Sequence, residues 1–238
     1  MVARLHGTGE PRDLNATLWR FMDFTKYVAM LREGALYFTR ADQLPDPYEG
    51  RREAGRLLQE PQEDDRLHRS VFLSCWHQNE KESAAMWRIY LGSDEGVAIK
   101  TSVEQLRHSL AATPVRLHVG KVAYLDEPPE RDELDPFFTK RQSFDYEREL
   151  RVLWRSERES DERGRYLPAD LEALVSQVVV PPGASHWFED LVRSVTGKYG
   201  YNFTVGASST LQAPSPRRVS WDVEGPEDRA EHHVTQQH

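Results

Sequence analysis

The chain predicts an α+β fold in a single domain, on three observations. Segments with strand character outnumber those with helical spacing, about eight to about five. The strands cluster as much as they alternate with helices, so mixed or antiparallel sheets fit better than a doubly wound parallel sheet. The chain has 238 residues, long enough for one sizeable core and short for two complete domains.

Residues 1–14 are polar, with Gly7, Gly9 and Pro11, and read as a flexible lead-in. Thr17-Leu18-Trp19-Arg20-Phe21 is a short strand. Asp23 or Thr25 is placed to cap a helix from about Lys26 to Glu33, which carries Tyr27, Met30 and Leu31 at helical spacing and stops at Gly34. A strand over Ala35–Thr39 leads to Leu44-Pro45-Asp46-Pro47-Tyr48-Glu49-Gly50, a turn in which Asp46 must be extended because proline follows it. Residues 51–69 are mostly charged and read as a mobile excursion over the surface.

Val71–Trp76 is apolar enough to be a buried strand. The next helix carries Ala84, Ala85, Met86, Trp87 and Tyr90, a stripe that core packing would explain. Gly96–Thr101 is a strand, and Ser102 is placed to cap a helix through Val103, Leu106 and Leu110. Val115–Val119 and Lys121–Tyr124 read as one long or bulged strand around Gly120. An acidic loop over Asp126–Asp135 precedes a short helix starting in Phe137–Lys140. The charge run Glu157–Arg165 is an exposed hairpin or loop, and Leu174–Val180 is a strong strand ended by Pro181 and Pro182. A helix over about Ser185–Lys198 carries Trp187, Leu191 and Val195 on one face, and Asn202–Val205 closes the core. The domain therefore spans 15–212, and 213–238 is a disordered polar tail.

Composition narrows the chemistry. With 31 Lys and Arg against 39 Asp and Glu, the net charge of -8 argues against a general affinity for nucleic-acid phosphate. Cys75 is the only cysteine, which excludes an internal disulfide framework and fits a reducing cytoplasm. No stretch resembles a signal peptide or approaches the roughly 20 apolar residues that span a bilayer, so a soluble cytoplasmic protein away from membranes is expected. The nine histidines show neither H-x-x-E-H nor H-E-x-x-H spacing, so no metal site is expected, and His77 alone lies beside a probable site strand. Neither a G-x-G-x-x-G fingerprint nor a Walker loop is present. Ser74 and Cys75 lack a nucleophile elbow.

The stretch Phe144–Leu153 carries the strongest chemical signal. Read as a strand, it puts Tyr146, Leu150 and Val152 on one side and Glu147, Glu149, Arg151 and Leu153 on the other. Residues two apart on a strand lie roughly 6.5 to 7 Å from each other. Two carboxylates at that spacing repel unless a cation or a ligand hydroxyl sits between them, and Arg151 supplies part of that compensation.

Five short motifs accompany it: Trp19-Arg20-Phe21, Asp46-Pro47-Tyr48-Glu49, Ser74-Cys75-Trp76, Met86-Trp87-Arg88-Ile89-Tyr90 and Glu147-Arg148-Glu149-Leu150-Arg151. In combination, from about residue 18 to 211, they resemble an uncharacterised bacterial domain-of-unknown-function family encountered near phage-defence and abortive-infection genes. The chain departs from that family at Pro45, where Asn is usual. A remoter resemblance carries more mechanism. Arg20 on the first strand, Ser74 on a middle strand and Glu147-x-Glu149 leading into an apolar strand are similar to the Arg, Ser, Glu-x-Glu order of ADP-ribosyltransferases.

That resemblance implies an ADP-ribosyltransferase-like fold and NAD as the cofactor consumed. Glu149 would be the catalytic carboxylate and Glu147 would orient the acceptor. Arg20 would grip a phosphate, Ser74 would brace the ribose, and Trp87 or Tyr90 would stack on nicotinamide. Asp46, Glu49, Trp76, Lys140 and Arg151 complete the expected pocket, and the macromolecular acceptor is open. Two other readings use the same residues. In one, Asp46, Glu49, Glu147, Glu149 and Arg151 form an ion network in a non-enzymatic binding module. In the other, Arg20, Lys140 and Arg151 contact phosphate in a nucleotide or RNA-end processing enzyme.

Overall fold

The main sheet forks along one central strand, Val71–Gln78. The computed structural model describes residues 2–5, 13–46, 49–50, 61–92, 95–125 and 133–210. In chain order these residues form β1 (Val2–Leu5), β2 (Thr17–Asp23), α1 (Phe24–Glu33), β3 (Ala35–Arg40), α2 (Pro61–Ser70), β4 (Val71–Gln78), α3 (Ala84–Tyr90), β5 (Gly96–Ser102) and α4 (Val103–Ser109). There follow β6 (Leu117–Lys121), β7 (Ala123–Tyr124), β8 (Thr139–Lys140), β9 (Glu149–Arg155), β10 (Gly164–Pro168), α5 (Leu171–Leu174), β11 (Gln177–Val180), α6 (His186–Lys198) and β12 (Val205–Ala207). The α+β class is as expected, with more elements than the periodicity suggested.

The sheet runs β1-β6-β9-β4-β2-β5-β11-β12, with β3 joined to β4 and β10 to β3. Its ladders are antiparallel apart from β1 with β6 and β11 with β12. One edge of β4 is paired to β9 along its length, from Val71 opposite Arg155 to His77 opposite Glu149. The other edge is shared. β2 takes the end of β4 at His77 and Gln78, and β3 takes the start at Phe72 and Leu73. Between them, on this edge, Ser74, Cys75 and Trp76 have no strand neighbour among the described residues, and the sheet opens there.

Apolar residues alternate to both faces. On one face Leu18, Met22, Ile99, Leu150 and Val152 pack against α1, α4, α5 and α6 through Tyr27, Leu106, Leu174, Phe188 and Val192. On the other, Leu73 and Leu153 meet Phe137 and Phe138 of a 3-10 helix over Asp135–Phe138, and Trp19 and Phe21 meet Met86 and Trp87 of α3. Ser102 caps α4 as expected, accepting from the Gln105 amide while the Gln105 side chain takes the Ser102 amide, a reciprocal capping box.

Several expectations are corrected. Residues 142–147 form a 3-10 helix, and β9 begins only at Glu149, because Arg148 adopts left-handed backbone angles (φ 43, ψ 52) that break any continuous strand. Tyr146 is consequently exposed, outside the core. The stretch 61–70 is helical, with Pro61 at its first position, where a missing N–H costs nothing; 51–60 lie outside the described residues. The 115–124 segment splits: β6 stays in the sheet, Val122 donates to the Glu149 carbonyl, and β7 turns away to pair with β8. The charge run ends in a strand, β10, whose Gly164 lies so close to Tyr37 that a Cβ would fall 2.3 Å from the ring. On α6 the buried face is Phe188, Val192 and Thr196, with Trp187 and Leu191 exposed, because the Thr196 hydroxyl bonds Tyr27 at 2.7 Å in the core. Val2–Leu5, within the expected lead-in, pair with β6. The expected tail, 213–238, lies outside the described residues, as does most of the acidic loop. Among the described residues no helix is long and apolar enough to cross a membrane.

Candidate active site

A cavity of about 710 Å³ occupies the fork between β2 and β3. β2 lines it with Trp19 to Met22, β3 with Tyr37 and Thr39, and β4 with Leu73 and Cys75 to His77. The turn at 43–46 and Glu49 close one side, and Lys140, Phe144, Glu147 and Glu149 form the end reached by β9. Tyr90 of α3 and Tyr166 of β10 complete the wall.

Arg20 supplies positive charge at one wall. Its Nη2 donates to the Tyr37 carbonyl at 2.7 Å, and its guanidinium lies over the Trp76 ring, 5.5 Å from the centroid. Among the described residues no carboxylate pairs with it. Burial lowers its pKa to about 10, the mark of a cation that has lost water and gained no anion.

The opposite end holds a nearly closed ion cluster. Arg151, with 0% exposure, donates Nε to Glu149 at 2.5 Å, Nη2 to Glu49 at 2.9 Å and Nη1 to the Phe137 carbonyl at 2.8 Å. Lys140 Nζ lies 2.7 Å from Glu49, 2.5 Å from Glu147 and 3.6 Å from Glu149. Three carboxylates thus face two cations, which leaves one negative charge if all ionise. At the margin Arg141 meets Asp46 at 3.1 Å.

The surplus proton belongs with Glu147. Burial, then a hydrogen bond with Glu149, pushes its pKa to about 7, and Lys140 only partly offsets this. Burial would also raise Glu149, but Arg151, Glu147 and Lys140 together outweigh it and hold Glu149 down near 2. The pair therefore comprises one fixed anion and one exchangeable acid. Cys75 also lines the cavity, but burial and then the adjacent Glu149 charge push its thiol to about 12, so it is no nucleophile at neutral pH.

Strand β4 and β7 grip the turn that carries the two glutamates. The Gln78 amide donates to the Arg148 carbonyl at 2.9 Å, His77 Nδ1 lies 2.6 Å from the Glu147 carbonyl oxygen, and the Glu149 amide donates to the Tyr124 hydroxyl at 2.7 Å. A left-handed non-glycine residue costs about 1–2 kcal/mol, and these bonds offset it. Gly50 lets the opposing turn close. Its φ is +74, and a Cβ there would sit 2.4 Å from Phe137.

Of the residues singled out from the sequence, Arg20, Asp46, Glu49, Trp76, Tyr90, Lys140, Glu147 and Glu149 meet at this cavity. Three do not line it. Ser74 is 1% exposed and accepts from Trp76 Nε1 at 3.1 Å, so it points into packing and not toward a ribose. Trp87 packs edge-on against Phe21, 4.9 Å between centroids, with its indole N–H on Glu82, and Tyr90 stacks on the same Phe21 ring at 6.3 Å. Arg151 lies behind the carboxylates. His77, Tyr37, Phe144 and Tyr166 were missed as wall residues. Alternation along β4, which puts His77 on the Leu73 and Cys75 face, was the one available signal. Among the described residues no group of three or more His, Cys, Asp or Glu is arranged to hold a metal ion.

No protein-family model matches the chain, and no curated protein does. Among solved structures it is similar to Thermus sp. 2.9 DarT in complex with NAD+, at 13% identity and a TM-score of 0.44 over 82% of this chain and 96% of that one. It is likewise similar to Thermus sp. 2.9 DarT in complex with carba-NAD+ (12%, 0.43, 84% and 97%) and in complex with ADP-ribosylated ssDNA (11%, 0.44, 86% and 96%). At these scores the likeness says nothing of substrate or site residues.

Proposed function

We propose that the cavity in the sheet fork binds NAD and that the protein transfers ADP-ribose from it to an acceptor. One observation carries this reading: a desolvated Arg20, without a carboxylate partner among the described residues, and a Glu149 held as an anion line the same cavity. The volume falls within the roughly 300–1,000 Å³ usual for small-molecule and cofactor sites. A guanidinium in that state is completed by an anion such as a diphosphate.

NAD supplies a ribose whose bond to nicotinamide breaks with the electron pair leaving on the pyridine nitrogen. Glu149, held as an anion by Arg151 and Lys140, stabilises the positive charge that then develops on the ribose. Glu147 in its ionised form, present alongside the acid near neutral pH because its pKa is about 7, takes the proton that the acceptor nucleophile loses as it bonds the anomeric carbon. Arg20 holds the diphosphate, and Tyr90 offers its ring to nicotinamide. A setting in bacterial defence, which the family resemblance implies, belongs to the same proposal.

The test is release of labelled nicotinamide from NAD by the purified chain. Glu149→Gln is expected to lower it at least about 100-fold, in line with removal of a group that stabilises transition-state charge. Wild-type protein that neither turns over NAD nor gains melting temperature with it would overturn the reading. A second reading rests on the complete burial of Arg151 among carboxylates: a non-enzymatic module in which the cluster only ties the turn to the sheet. On that account Glu149→Gln lowers the melting temperature and there is no turnover to lose.

A further inference from the structure

We propose that His77 is the positioning residue of the glutamate pair, holding through the Glu147 carbonyl the turn that delivers Glu147 and Glu149 to one cavity. This deepens the NAD reading above and rests on it for its consequences in turnover. A carbonyl oxygen only accepts, so the 2.6 Å contact requires the proton on His77 Nδ1. Nε2 then carries a lone pair, and it is buried with no hydrogen-bond partner among the described residues.

The surroundings hold the ring in that neutral form. His77 is 6% exposed, sits opposite Glu149 in the β4–β9 ladder and beside Trp19 of β2, and packs 6.4 Å from the Phe21 ring. Desolvation, helped by the Arg148 charge, lowers its pKa and outweighs the Glu147 carbonyl and the Glu149 carboxylate, which both favour the charged ring. The next residue, Gln78, holds the Arg148 carbonyl, so consecutive β4 residues fix the peptides on both sides of the left-handed position. Arg148 is the one non-glycine with positive φ among the described residues, and no glycine is there to make the turn by itself. Without the His77 bond, Glu147 loses its register against Lys140 and Glu149.

Two measurements test this on the full chain. Long-range proton–nitrogen NMR at pH 7 is expected to show His77 as a single neutral tautomer protonated at Nδ1; an Nε2–H tautomer or an imidazolium would overturn the assignment, and neither result depends on turnover. In NAD turnover, His77→Asn, whose amide mimics the Nδ1 donor, is expected to keep kcat within threefold. His77→Gln, which mimics Nε2, loses tenfold or more at unchanged KM. Equal kcat for the two variants, or the reverse order, overturns the proposal. Absence of NAD turnover in the wild type would instead strike the functional reading, with the tautomer still reporting on the turn.

Discussion

Arg151 Nη2 lies 2.9 Å from Glu49 Oε2, although 102 residues of chain separate them. Through this contact and the parallel one from Lys140, the turn that began as two prolines and an aspartate is tied to the middle of the sheet. Replacing Arg151 by Met leaves Glu49 and Glu149 buried with one cation between them, and loss of a buried partner typically costs about 3–5 kcal/mol. Urea unfolding of Arg151→Met is expected to show a loss in that range. Lys in its place is expected to fail as well, since it cannot bond Glu49, Glu149 and the Phe137 carbonyl together. A loss below about 1 kcal/mol would mean that the cluster is incidental to stability.

Arg20 should behave in the opposite way. Hydrogen bonds to charged groups contribute about 1.5–3 kcal/mol, so Arg20→Gln is expected to weaken NAD binding by roughly 10- to 100-fold, read as KM or by calorimetry. Because no carboxylate is stranded by the change, the melting temperature should hold or rise. A large drop in stability with unchanged NAD affinity would assign Arg20 to the core.

Glu147 sets a pH dependence whose sign can be worked out. Its folded pKa is about 7 against an ordinary 4.5, so between those values the folded protein keeps a proton that the unfolded chain has released. Stability therefore falls as pH rises through that window. Glu149 works in reverse: lowered to about 2, it contributes stability above its ordinary 4.5 that is lost as pH falls toward 2. Thermal melts between pH 5 and pH 8 should show wild type losing several degrees relative to Glu147→Gln. Parallel curves would mean that Glu147 ionises as an ordinary carboxyl.

Ser74 offers a control. Ser74→Ala leaves the Trp76 indole N–H without its acceptor, at a cost of about 1–3 kcal/mol for an unsatisfied buried donor. NAD affinity should not change. A selective rise in KM would restore the ribose-bracing role that its position in the order Arg, Ser, Glu-x-Glu implies.

These contrasts show what local pattern can and cannot report. Apolar runs mark β2, β3, β4 and β5 because both faces of each strand are largely buried. The capping box at Ser102 is encoded by two residues three apart. Phe144–Glu147 reads as a strand because polar and apolar residues alternate there, whereas the structure has a 3-10 helix that ends at left-handed Arg148, where His77 and Gln78 of another strand hold the Glu147 and Arg148 carbonyls. β10 was hidden behind a charge run and ends at Pro168; its partner, β3, lies more than a hundred residues back. Of the charged residues singled out, Glu49, Lys140, Glu147, Glu149 and Arg151 come together in the structure because buried charge must be compensated. That Ser74, Trp87 and Arg151 all stay off the cavity wall depends on side-chain direction around a break in pairing that no single segment contains.

The shared edge of β4 is also thinly paired. Among the described residues the strand pairing along this margin consists of two short seams, Leu18 with Gln78 and Trp19 with His77 on one flank, Thr39 with Leu73 and Arg40 with Phe72 on the other. The unbroken ladder to β9 acts as the keel. A bulky guest would be admitted by parting rungs at the seams, so amide exchange there should quicken or slow with occupancy while the keel keeps its protection.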